Sequence, residues 1–90
     1  MEKSNFLVNE EHIVFAQQLI ENNMVAIYIA SLLNSSTNET KDELVVRKKR
    51  LKELRGALHA INWDDKWQYL KQIENSIETI KEEINRYVNI

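Results

Sequence analysis

Ninety residues, 43% hydrophobic and 29% charged, fit one globular domain and exclude a disordered chain. A net charge of −2 gives no overall pull toward nucleic acid or anionic lipid, and the absence of cysteine excludes disulfides and thiolate metal ligands. One glycine and no proline leave too little turn punctuation for a sheet of short strands, so the expected class is all-α.

Residues 1–9 read as an N-terminal arm, which Phe6, Leu7 and Val8 can dock. They carry no secretory pattern. The longest apolar run, Met24 to Ala30, falls far short of the roughly 20 residues that span a bilayer. A cytoplasmic protein with no membrane partner is expected. Asn9 is a good N-cap, and the charges of Glu10 and Glu11 suit the first turn that follows. Val8 and Ile13 stand at the positions of a hydrophobic staple.

A first helix is therefore expected over residues 10–33. Up to Ile20 it is amphipathic, with Ile13, Ala16, Leu19 and Ile20 inward. After Asn22 and Asn23, where a kink or break is the alternative, MVAIYIASLL is apolar nearly all round. Such a segment needs cover on several sides. A three-helix bundle leaves part of it uncovered, so Met24, Ile27, Tyr28 and Ile29 are candidates for a homo-oligomer interface.

The stretch from Asn34 to Thr40, NSSTNET, is the one clear loop. Thr40 and Glu43 then form a capping box, so a second helix should run over 41–61. Its apolar seam is Leu44, Leu51, Leu54, Leu58 and Ile61, with Arg47 where a seam residue is missing. Continuing that seam past Ile61 calls for apolar residues at positions 65 and 68, where Asp65 and Gln68 stand. The pattern restarts at Trp63, Trp67 and Leu70 in a different register, so the chain turns back.

The third helix, expected over 63–88, has apolar residues at Leu70, Ile73, Ile77, Ile80, Ile84 and Tyr87. Their intervals alternate three and four, the a/d seam of a heptad repeat. Isoleucine at both seam positions leans toward more than two packed helices. Asn62 is the expected cap of this helix, with Asp64 and Asp65 in its first turn. The expected fold is a three-helix antiparallel bundle with a C-terminal helical hairpin, assembling as a homodimer or larger.

Three features bear on function. Arg47, Lys48, Lys49, Arg50, Lys52 and Arg55 crowd half of all Lys and Arg into nine residues. They either balance Glu74 and Glu78 across the hairpin or form an anion site, for which Arg47, Lys48, Arg50 and Arg55 are the candidates. Trp63, Asp64, Trp67 and Tyr69 are candidate partner contacts, since aromatic rings beside charge are common interface anchors. The bland alternative is an aromatic plug at the end of the core. Gly56 in mid-helix costs about 1 kcal/mol relative to alanine, which points to close helix approach.

Nothing assembles a catalytic set. His12 and His59 lack a second ligand at metal spacing. Ser31, Ser35 and Ser36 lack a histidine and acid nearby, and adjacent acids such as Asp64 and Asp65 diverge on a helix. No enzyme, metal or cofactor is expected. Size and helical architecture resemble those of small bacterial and phage accessory proteins such as immunity proteins, antitoxin-like inhibitors and small ligand-sequestering bundles, a likeness of fold that does not carry function. Ten asparagines, ten isoleucines and eight lysines, residues with AT-rich codons, point to a low-GC bacterial or phage source. The expected function is binding or inhibition of a partner protein. The alternative is an anion binder that holds a nucleotide-like ligand or nucleic acid.

Overall fold

A computed structural model of the chain describes residues 9–33 and 40–88. Among these the secondary structure is all helical: α1 (Glu10–Glu21), α2 (Val25–Leu33), α3 (Lys41–Ala60) and α4 (Lys66–Val88). The N-terminal arm, Val8 of the expected staple and the loop before Thr40 lie outside the described residues. No helix among them is long and apolar enough to cross a membrane.

The expected first helix is two helices, and the asparagine pair is where it divides. Asn23 takes the left-handed conformation, with φ of 56°. The Met24 amide donates to Leu19 O at 2.8 Å, and the Asn23 amide to Ile20 O at 3.1 Å. Those two bonds define a Schellman turn, which closes α1 and satisfies its last carbonyls. Asparagine fills the left-handed position because it tolerates that conformation better than other non-glycine residues. The Tyr28 amide then donates to Met24 O at 2.9 Å, so α2 starts immediately in a new direction.

At the other helix starts the local signals act as expected. The Glu11 amide donates to Asn9 Oδ1 at 2.7 Å. The Glu43 amide donates to Thr40 Oγ1 at 3.2 Å, and the Thr40 amide to Glu43 Oε1 at 2.8 Å, completing the capping box.

Helix α4 begins three residues later than expected. Asp64 and Asp65 form the turn itself, Asn62 stands outside the helix, and the Lys66 amide donates to Trp63 O at 3.1 Å. The reason lies in the rings of Trp63 and Tyr69, which stack with centroids 5.2 Å apart and planes 11° from parallel. Residues six apart on one helix lie about 240° round its axis and cannot stack. The chain therefore stays out of the helix at Trp63. Lys66 secures the turn, its ammonium donating to His59 O at 3.1 Å and Ile61 O at 2.8 Å, the open carbonyl end of α3.

The core joins all four helices. Leu44, Leu51, Leu54 and Leu58 of α3 meet Leu70, Ile73, Ile77 and Ile80 of α4, with Ala16 and Leu19 of α1 and Val25, Ile29 and Leu32 of α2. The α3–α4 contact is the most extensive, α1 packs on α3 but does not reach α4, and α2 touches both. The heptad seam of α4 is buried as far as Ile80, then fades through half-buried Ile84 to exposed Tyr87. Ser76, the one buried polar residue described, donates its hydroxyl to Gln72 O at 2.8 Å.

Candidate functional site

Two surfaces are chemically unlike the rest. The first is the outer side of α2. Nine residues, VAIYIASLL, include no charge. Val25, Ile29 and Leu32 are buried, and Tyr28 is half-buried with its ring edge-on to Phe15 at 5.1 Å. Ile27 is 61% exposed and Met24 43%, with exposed Leu33, Ala26 and Ala30 beside them. The one hydroxyl of the helix, that of Ser31, donates to Tyr28 O at 2.7 Å, within the helix itself. Of the four interface candidates, Met24 and Ile27 are therefore on the surface. Ile29 is fully buried in the protein's own core because it shares the inward phase of Val25 and Leu32, so it cannot form part of an outer face. Exposed Val14 and Phe15 on α1 add apolar surface that helical spacing alone did not single out.

The second is the solvent side of α3. This helix holds seven of the twelve Lys and Arg residues but three of the fourteen acids, so it is positive within a chain that is negative overall. The structure sorts the six cations from Arg47 to Arg55 into four groups. Arg47 is turned inward, and its Nη1 donates to Leu32 O at 2.8 Å, closing the C-terminus of α2. Arg55 meets Glu74 of α4 at 3.0 Å. Arg50 borders a crevice of about 20 Å³ with His12, Phe15, Tyr28, Glu53 and Leu54, where His12 Nε2 lies 3.7 Å from Glu53. That space admits at most a water-sized group. Lys48, Lys49 and Lys52 have no ion pair among the described residues, and Glu78 pairs with Lys81 of its own helix at 3.5 Å. Hairpin charge balance thus accounts for one of the six cations in the run.

The aromatic candidates separate. Trp63 and Tyr69 are half-buried and packed against the core. Trp67 is 63% exposed, the most exposed large apolar side chain described. His59 meets its ring edge-on at 5.8 Å, and the Lys66 ammonium lies 5.2 Å from its centroid. Trp63 is therefore the plug and Trp67 the surface ring. A spacing of four puts two residues on one face only where both are helical, and Trp63 lies outside α4. Asp64 is exposed in the turn.

Among the described residues, no three His, Cys, Asp or Glu side chains gather as a metal site would require. No protein-family model, curated protein or solved structure matches this chain.

Proposed function

We propose that this chain is a small non-catalytic interaction protein, an antiparallel helical bundle that docks through the outer face of α2 and whose first partner is a second copy of itself. The uncharged outer face of α2, with Ile27 exposed on it and Met24 exposed at its N-terminal end, carries the reading. Exposed apolar surface of this kind is stabilised by cover, and a contiguous patch marks an interaction site.

Self-contact fits because the face is compatible with itself. Two copies related by a two-fold axis bring apolar surface onto apolar surface with no charge stranded. Ala26 and Ala30, four apart, allow two helix backbones to approach closely. Length limits the strength. A nine-residue helix is about 14 Å long, too short to supply the roughly 800 Å² per partner of a standard interface. The dimer is therefore an exchangeable one, able to open for a heterologous apolar helix, as an accessory or inhibitor protein requires.

Sedimentation equilibrium from about 10 to 500 µM covers the affinity range of such a contact. The expected result is a rise from the 10.7 kDa monomer toward twice that mass, abolished by Ile27→Asp with the helical circular dichroism unchanged. A wild-type monomer at every concentration overturns self-association.

A further inference from the structure

We propose that the solvent face of α3, ending on Trp67, is a binding site for single-stranded nucleic acid, held by its phosphate chain and without sequence preference. The site is independent of the α2 face.

Helical phase supports this. Lys41, Val45, Lys48, Lys52, Arg55 and His59 follow at alternating intervals of four and three, so they form one stripe along α3, with Lys49 beside it. From Lys41 to His59 the stripe is about 27 Å long at 1.5 Å per residue. Lys41, Lys49, Lys52 and His59 are exposed and Lys48 is half-buried. On the facing helix α4, Glu74 is paired with Arg55 and Glu78 with Lys81. The positive charge of Lys48, Lys49 and Lys52 is left for something outside the described fold.

Gly56 falls in the same phase sector as Lys49 and Lys52, while Ala57 and Leu58 take the buried positions at its level. Its φ is not positive, so no backbone strain requires glycine. The small residue buried at this level is Ala57. A missing side chain here lowers the surface between Lys52 and His59, which lets a strand lie close to the helix.

What distinguishes a nucleic acid from an acidic protein is the end of the stripe. Trp67 stands there as an exposed ring, oriented by the His59 edge and the Lys66 ammonium. A base stacks on such a ring whatever its identity, and stacking requires that the base be unpaired. Lysine supplies point charge without the planar fork that arginine uses for specific recognition, so the contact reads charge along the strand and not sequence. Asp64 and Asp65 lie just beyond and repel further phosphates, so the footprint ends at the indole.

The test uses the full chain with a labelled twelve-nucleotide oligothymidylate, a DNA duplex of equal length and poly-glutamate, by fluorescence anisotropy at low salt. Expected is binding of the single strand with Kd between roughly 1 and 100 µM, and a log–log salt slope of about −2 for three lysines. The combined Lys48→Gln, Lys49→Gln, Lys52→Gln variant should lose at least about tenfold, and Trp67→Ala about tenfold for the single strand only. Circular dichroism should show both variants as helical as the wild type, since these side chains are outside the core. Failure to bind the single strand overturns the proposal. So does equal binding of poly-glutamate, which would make the stripe a site for acidic protein, or tighter binding of the duplex. An unchanged affinity in Trp67→Ala removes the stacking that sets the proposal apart.

Discussion

Helix α2 carries no charged residue in nine positions, whereas α3 carries ten in twenty, and both press an apolar side against the same core. The difference lies in what faces away. The outer side of α3 is already solvated, so its position is defined by burial on one side and hydration on the other. The outer side of α2 gains nothing from water, so burial on its inner side and the connections at its two ends hold it in place. The first arrangement gives a helix with one stable orientation in an isolated chain. The second gives a helix with apolar side chains on its outer side as well as its inner one.

Substitutions sharpen this contrast. The largest effect is expected in the core, where Ile73→Ala and Ile77→Ala should each lower stability by about 2–5 kcal/mol in urea titration. Ile27→Ala removes a similar side chain from the surface and should leave the monomer nearly unchanged, within about 0.5 kcal/mol. A large loss at Ile27 in a dilute, monomeric sample would show that α2 is buried on both sides within one chain, and the contrast would fail.

Next is Arg47→Ala, which leaves the end of α2 without its charged donor and should cost about 1.5–3 kcal/mol. Lys49→Ala, two residues on and with no ion pair among the described residues, serves as its control and should scarcely move the melting temperature. Equal effects would mean that α3 does not hold α2 through this bond. A smaller effect is expected at the Schellman turn. Asn23→Ala should cost about 1–2 kcal/mol because alanine resists the left-handed conformation, while Asn23→Gly should be neutral or stabilising. Thr40→Ala, which opens the capping box, should cost about 1 kcal/mol. Asn75→Ala, on the exposed side of α4, should stay within about 0.5 kcal/mol.

The features legible in the residues were those whose cause is local. Asn9 and Thr40 cap helices as their spacing implies, since a capping hydrogen bond spans two or three residues. The seams are buried from Leu44 to Leu58 and from Leu70 to Ile80 as the heptad pattern places them, whereas Ile61 is half-buried beyond the end of α3, Trp67 is exposed and the seam of α4 fades after Ile80. Asn22 and Asn23 marked the possible break, although periodicity alone favoured one continuous helix. What spacing did not show depends on contacts distant in sequence. The bond from Arg47 to Leu32 O crosses fifteen positions, and nothing near Arg47 announces it. The stacking of Trp63 on Tyr69 goes with the late start of α4 and separates the two tryptophans, because helical phase applies only to residues already in the helix. The candidate anion site moved for the same reason. Arg47 and Arg55 are engaged within the fold, whereas Arg50, Lys48, Lys49 and Lys52 have no ion pair among the described residues.

The attachment of α2 at its two ends has a consequence for how the molecule opens. Nine residues are fewer than the roughly 12–15 an isolated helix needs in water, so α2 is helical only while docked. Met24 offers no side-chain oxygen to its first amides, and near its C-terminal end Leu32 O accepts from Arg47 of α3. Undocking and unwinding are then one event. Amide protons from Tyr28 to Leu33 should exchange with deuterated solvent as a single group, faster than those of Leu51 to Leu58 in α3. A partner seated on Met24 and Ile27 should slow that group and leave the α3 amides at their original rate.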